Sequence, residues 1–510
     1  MIELKPGRLR IAEIRAVYDG DSDVTLEPAA FNSIQDGAEA VARIANRGEA
    51  AYGVNTGFGR LASKRIPRDQ LELLQRNLVL SHAVGVGEPL PAPIVRLVLL
   101  LKIASLARGY SGVTVEVVEA LTRLLHAGVL PVIPSQGSVG ASGDLAPLAH
   151  LATVLLGVGE VEVAGERLSA LEGLRVAGIE VMTLRAKEGL ALLNGTQVST
   201  AIALAGLFQV ENLLKTAVVS GALSVDAAAG SLTPFDPRIH ELRGQPGQIE
   251  VASAYRALLT GSKIALSHQD CEKVQDPYSL RCQPQVIGAC LDLIRNAADT
   301  LEREANSVSD NPIVFPKTTE VLSGGNFHAE PVAFAADTLA IAAAEIGALA
   351  ERRIALLIDT TLSGLPPFLV RDGGVNSGFM IAHVTAASLA SENKVLAHPA
   401  SVDSLPTSAN QEDHVSMATF AARKVRDIAR NVNSILAIEL LAAVQGVDLR
   451  APFATSAQLA PAVALIRGHV PHYDIDHYLA ADIETVTRLV ETGQVAALCP
   501  PIAPLERKAP

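Results

Sequence analysis

The sequence predicts a mainly α protein: a bundle of long helices preceded by a smaller, mostly helical N-terminal domain. Three observations predict it. Apolar residues recur at helical spacing, with sparse charge, over Gln285–Ala305, Ala329–Leu357, Phe379–Leu396 and His414–Val444. Hydrophobic residues make up 49% of the 510 positions while aromatics are only 4% and tryptophan is absent; with alanine and leucine dominant, this suits close helix-on-helix packing. Period-two alternation marks one short stretch, Val161–Leu168, as a small β-hairpin.

The elements follow in chain order. Short helices joined by glycine and proline are expected at Ile11–Val17, Pro28–Asn46, Gln70–Ser81, Ile94–Ala107 and Val113–Ala127. Between the second and third lies Tyr52-Gly53-Val54-Asn55-Thr56-Gly57-Phe58-Gly59, whose three glycines fit neither dinucleotide nor P-loop spacing and suit a lid that carries a tyrosine. A helix whose first turn is Leu145-Ala146-Pro147 and whose apolar run is Leu148–Leu156 is followed by the hairpin. A helical pattern then resumes near Lys187 and runs through Asn194-Gly195 into Ile202–Gly221. The chain is too long for one core, so two domains are expected, 1–200 and 201–510, the second holding the long-helix bundle and a C-terminal helical part. Helices of about twenty residues, roughly 30 Å long, with so little charge need other copies of the chain to cover them, which predicts a homo-oligomer.

Charge and cysteine usage exclude several classes. A formal net charge of −12 without a long Lys/Arg block argues against nucleic acid or an anionic membrane as partner. Cys271, Cys282, Cys290 and Cys499 form no C-x-x-C, so neither a disulfide framework nor a zinc site is expected, and no metal is implied. The N-terminus lacks an apolar signal core. Lys102 cuts the run after Leu97–Leu101, and Asp337 and Glu345 interrupt the Ala-rich run from Val332, so no membrane span is expected and the location is cytoplasmic.

The chemistry centres on Gly137-Ser138-Val139-Gly140-Ala141-Ser142-Gly143-Asp144-Leu145-Ala146-Pro147-Leu148-Ala149-His150. The unhindered Gly143 nitrogen can close onto the Ala141 carbonyl carbon as a five-membered ring, and Ser142 alone among the three has a leaving group. Loss of two waters would leave a methylidene-imidazolone, an electrophile that no side chain provides. Small residues permit the kink this needs. Asp144 reads as the N-cap of the next helix, with Pro147 in its first turn, so the tripeptide lies at the positive end of a helix. A serine-hydrolase elbow would need glycine at Asp144.

Four further groups admit two readings each. Ser81-His82 ends a helix, where the imidazole either caps it or meets a ligand. Asn194 either bonds a ligand or satisfies its own backbone. In Gln275-Asp276-Pro277-Tyr278-Ser279-Leu280-Arg281, Asp276 can cap a turn on which Tyr278 and Arg281 share a face; Arg281 then binds a carboxylate and favours the Tyr278 phenolate, or the two are ordinary surface groups. Asn410 can cap the long helix with Glu412 and Asp413 in its first turn, where acidic residues serve either the helix dipole or a substrate imidazole.

In chain order, AYGVNTGFG, QRNLVLSHAVGVG, GSVGASGDLAPLAH, EGLALLNGTQ, VQDPYSLRCQPQ, SGGNFHAEP and SVDSLPTSANQEDHVSM resemble the aromatic amino acid ammonia-lyases, over residues 8 to 500. QEDHVSM and Ser81-His82 point to the branch that acts on histidine. The resemblance implies a fold of the fumarase/aspartase type, a homotetramer with active sites shared between subunits, and elimination of ammonia from L-histidine to give trans-urocanate. It implies a prosthetic ring formed autocatalytically from Ala141, Ser142 and Gly143, with no external cofactor. Tyr52 then corresponds to the lid tyrosine, His82 to a contact for the substrate imidazole, and Asn194 and Gln275 to polar groups holding ring and substrate. Arg281 corresponds to the carboxylate anchor, Tyr278 and Glu412 to a further acid/base pair, and Phe327 to the aromatic wall. The rivals are a tyrosine or phenylalanine lyase or aminomutase of the same family and, from another class, a helical scaffold without the ring.

Overall fold

A computed structural model describes residues 2–47, 51–57, 63–268 and 274–502. Of the positions singled out above, Phe58, Gly59 and Cys271 lie outside the described residues. Twenty α-helices and a few short strands are present among the described residues, and the strands form four small sheets of two or three strands. The expected hairpin is there, Glu160–Val163 pairing antiparallel with Glu166–Ser169.

The chain divides into two compact units, and neither is continuous. The first comprises Met1–Ala205, Ala298–Asp337 and Pro399–Arg423; the second Gly206–Ala297, Thr338–His398 and Lys424–Pro510. The sequence expectation of continuous pieces, 1–200 and 201–510, gives way to this because the division falls inside the helices Gln197–Ala227, Gln283–Ala305, Glu330–Ile358 and Ala418–Asp448.

In the first unit, the helix Ala92–Leu106, apolar apart from Arg96, Lys102 and Ser105, packs against Ile11–Asp19 and Val115–His126. A second group positions the site. Leu71–His82, Leu145–Leu155 and Glu188–Leu193 pack pairwise against one another. His82 ends the first, Asp144 precedes the second and Asn194 follows the third. Their contact is tight: a Cβ on Gly189 would crowd the Gln75 backbone and side-chain oxygens, and Gln75 Oε1 accepts from the Leu190 N–H at 3.2 Å.

Two expected helix boundaries move. The helical run from Lys187 breaks at Asn194-Gly195-Thr196: Asn194 is extended (φ −89°, ψ 134°) and Gly195 has φ +130°, a value open to glycine alone. Asn410 does not cap the last long helix, which begins at Ala418. Residues 407 to 417 instead form a loop in which Thr407 and Glu412 pair through their backbones and the Met417 N–H donates to the Val139 carbonyl at 2.9 Å. Tertiary partners for these backbone groups outcompete the local helical pattern.

Two helices, Gln197–Ala227 and Glu330–Ile358, are long and apolar enough to cross a membrane, against the expectation of none; most of each apolar window is buried in protein. In the second unit, the carboxylate of Glu439 and the guanidinium of Arg353 are both fully buried and paired. Arg353 Nη2 donates to Glu439 Oε2 at 2.9 Å, and Ser220 and Ser224 each donate to this carboxylate at 2.7 Å. Removing one member leaves the other charge desolvated and alone. Arg353→Met is expected to cost about 3–5 kcal/mol, read as a fall in the urea midpoint. Arg353→Met with Glu439→Leu should regain most of that loss.

Candidate active site

The tripeptide Ala141-Ser142-Gly143 lies in the first unit between two backbone segments. Gly143 has φ +70° and pairs with Gly195 as an isolated parallel bridge. A Cβ on Gly143 would run into the Gly195 carbonyl, so the position admits no side chain. The Asp144 N–H donates to that carbonyl at 2.7 Å, and Asn194 Nδ2 donates to the Ser142 carbonyl at 2.7 Å. Ser142 Oγ donates to Glu412 Oε1 at 2.5 Å, while Thr407 Oγ1 donates to the other carboxylate oxygen at 2.6 Å. Ser142, Asn194 and Glu412, read separately from the sequence, are thus joined. Glu412 reaches Ser142 from a loop rather than from a helical first turn.

Asp144 precedes the helix Leu145–Leu155, and its carbonyl accepts the Leu148 N–H at 3.0 Å, but its side chain does not cap the helix. The carboxylate is fully buried. Ser138 Oγ and Thr419 Oγ1 donate to Oδ1 at 2.8 and 2.9 Å, and the Ser199 N–H and Oγ donate to Oδ2 at 2.7 and 2.9 Å. Burial raises its pKa and these donors oppose the rise. Asp144 therefore ties the tripeptide to the start of the helix that follows Asn194 and to the helix that follows the Glu412 loop. Sequence reasoning gave it only a capping role; three of its four donors come from Ser199 and Thr419, distant positions that leave no local signal.

Lys102 was also missed. Its Nζ, on the helix Ala92–Leu106, is buried and donates to the Ala191 and Asn194 carbonyls at 3.0 and 2.9 Å, closing the C-terminus of Glu188–Leu193 and fixing the turn that aims Asn194. A lone lysine beside Leu97–Leu101 was the available signal, since lysine is rarely buried without partners. Asn194 itself is 4% exposed, and its Oδ1 has no hydrogen-bond partner among the described residues.

The remaining predicted residues stand as follows. His82 ends its helix as a cap, Nδ1 donating to the Leu78 carbonyl at 2.8 Å; a carbonyl only accepts, so in the neutral ring Nε2 is left as an acceptor. Tyr52 is half-buried beside buried Val54, Asn55 and Thr56, and a Cβ on Gly53 would meet Leu190 and Pro312, so this loop is packed at its start. Phe327 is half-buried, three residues before Glu330. Gln275, Tyr278 and Arg281 belong to the second unit. There Arg281 lies 4.6 Å over the Tyr278 ring and its Nε donates to the Asp276 carbonyl at 3.0 Å. The expected shared face is present. Asp276 does not cap that turn, because its carboxylate accepts the Ser231 N–H at 2.6 Å instead.

These residues fit a ring closed from the tripeptide. Gly143 is bare where its neighbour's backbone passes, the Ser142 carbonyl is held by an amide, and that amide's oxygen is a buried acceptor awaiting a donor. The model of the aromatic amino acid lyase family matches residues 9–468. The histidine ammonia-lyase of Burkholderia mallei (strain NCTC 10229) is 71% identical over 500 residues, 98% of this chain and 99% of the relative. Among solved structures, histidine ammonia-lyase from Trypanosoma cruzi matches with a TM-score of 0.89 at 41% identity, covering 98% of this chain and 95% of that one. Tyrosine aminomutase from Streptomyces globisporus matches with a TM-score of 0.92 at 35% identity, covering 98% of both chains.

Lys102 supplies a pH test of the buried site. Burial pushes its ammonium down from 10.5 to about 7, against the pull of Asp310 and Asp144. On lowering the pH from the ordinary lysine range towards 7, the unfolded chain takes up this proton and the folded chain does not, so stability falls across that window and levels off below it. Denaturation between pH 7 and 10 should show stability rising with pH, by at most about 1.4 kcal/mol per unit from this group. Lys102→Met should lose that part of the slope.

Proposed function

The chain belongs to the aromatic amino acid lyase family, and from that premise we infer that it is a carbon–nitrogen lyase that eliminates ammonia from L-histidine to give trans-urocanate, the first step of histidine degradation. The observation that carries the reading is the clamp on Ala141-Ser142-Gly143, in which the Gly143 backbone meets Gly195 and Ser142 Oγ meets Glu412. The identity to histidine ammonia-lyase, 71% against 35% for the aminomutase, favours histidine and elimination over the other aromatic amino acids and over amine migration.

The members of this family use a methylidene-imidazolone, and we assign its formation here to Ala141, Ser142 and Gly143. The Gly143 nitrogen bonds to the Ala141 carbonyl carbon, and two waters leave, one with the Ala141 oxygen and one with Ser142 Oγ. Glu412 Oε1, which accepts from that hydroxyl at 2.5 Å, is the base positioned to take up a proton released in ring closure and return it to the departing hydroxyl. Such a ring supplies an electrophile that turns a poor amine leaving group into a better one.

The chain's own residues do the rest. Loss of the Ser142 hydroxyl releases Glu412 Oε1, still held in place through Thr407, to accept from the substrate imidazole. His82 offers Nε2 to the same ring. Asn194 keeps the Ser142 carbonyl polarised and presents its unpartnered oxygen as an acceptor. Arg281, with Gln275, holds the substrate carboxylate, its guanidinium oriented by the Tyr278 ring. Phe327 walls the site. Tyr52, Tyr278 and Glu412 are the acid/base set from which the β-proton acceptor is drawn. The helix Met380–Leu396 exposes Ile381, Val384 and Val395 at 62%, 54% and 76%, apolar surface that suits burial against other copies. It supports a homotetramer with shared active sites, and we place the protein in the cytosol.

Intact mass should be lower than the sequence by two waters, and histidine should yield the absorbance of urocanate, with no cinnamate from phenylalanine. Ser142→Ala should keep its full mass and lose activity. Glu412→Gln should lower kcat by about 10²–10⁴-fold. A folded wild-type chain of unmodified mass would overturn the reading.

A further inference from the structure

Two residues beyond Glu412 and one beyond Phe327, the first unit gathers three metal-ligating side chains that the reaction above does not use. Glu330 opens the helix Glu330–Ile358, His328 lies on the turn before it, and His414 lies on the loop that carries Glu412. His328 Nδ1 is 3.8 Å from Glu330 Oε2 and His414 Nε2 is 4.0 Å from the same oxygen. The three ligand atoms all lie within 4.8 Å of one another.

Hydrogen bonding sets the state of these groups. His328 Nε2 lies 3.2 Å from the His414 carbonyl oxygen, which can only accept, so Nε2 carries a proton. In the neutral ring, Nδ1 therefore presents a lone pair towards Glu330. A backbone carbonyl holding the far nitrogen is the arrangement that orients metal-bound imidazoles. Glu330 Oε2 is buried, yet it accepts no hydrogen bond from any described residue. An anionic oxygen shielded from solvent and facing a lone pair suits a cation between them, on side chains that are themselves 26% and 27% exposed.

We propose that His328, Glu330 and His414 form a binding site for a first-row divalent cation, zinc being the best fit, with a fourth coordination position open. Two imidazoles and one carboxylate are a donor set that zinc accepts. Tetrahedral bonds of about 2.0–2.1 Å require the donor atoms to close by up to about 1.5 Å, a movement within reach of His414, whose side chain is 72% exposed. A bound ion would tie the Glu412 loop to the start of the helix Glu330–Ile358.

The test is calorimetric titration of zinc chloride into the untagged full chain after treatment with chelator. One equivalent should bind per chain and raise the thermal midpoint. His414→Ala, Glu330→Gln and His328→Gln should each weaken binding at least about tenfold and remove the thermal shift. His414, being exposed, can be replaced without unfolding the chain, and circular dichroism checks this for all three. Absence of zinc binding, or affinity unchanged in the folded His414→Ala chain, would overturn the proposal. Neither result bears on whether the chain deaminates histidine, because the readout is bound metal.

Discussion

The contact between the backbones of Gly143 and Gly195 is the constraint on which the rest of the site depends. Gly143 stands in the left-handed region and leaves no room for a side chain beside the Gly195 carbonyl; that carbonyl in turn accepts from Asp144. Gly195 holds φ +130° only because the helix Glu188–Leu193 stops at Asn194 and a new one starts at Gln197. A turn that would merely interrupt a helix thus becomes one wall around the tripeptide Ala141-Ser142-Gly143. The same turn delivers the Asn194 amide to the Ser142 carbonyl.

Two buried ionisable groups of the first unit hold the segments on either side of that contact. Asp144 accepts four hydrogen bonds, enough to keep a fully desolvated carboxylate between segments far apart in the chain. Lys102 donates to the buried Ala191 and Asn194 carbonyls at the end of Glu188–Leu193. One group draws the tripeptide inward and the other fixes the turn it rests against. The first is sensitive to its hydroxyl partners, the second to proton uptake.

The second unit shows the same economy with charge on a different scaffold. Its helices are rich in alanine and leucine, and its fully buried Arg353 is paired with the fully buried Glu439, while the buried Asp226 is held by the Ser262 and Thr455 hydroxyls. Arg281 instead spreads its guanidinium over an aromatic face, half in solvent. A stacked guanidinium keeps its planar donors oriented at little entropic cost, which suits a carboxylate ligand.

The sequence by itself determined what depends on neighbours along the chain. The helical stretches, the hairpin at 160–169, the cap of Leu71–His82 by its histidine and the pairing of Tyr278 with Arg281 are effects of residues within a few positions of one another, and periodicity registers them. The tripeptide assigned to the ring is legible for the same reason, since the proposed closure involves only adjacent residues. Tertiary structure alone decided where helices stop against their own pattern, at Asn194 and before Ala418, and what Asp144 and Lys102 do. Ser142 meets Glu412 across 270 positions and Asn194 across 52. No local propensity encodes such partners, because the donors and acceptors that satisfy a buried group are chosen by packing, and a backbone will give up helical bonds wherever packing supplies equivalent ones.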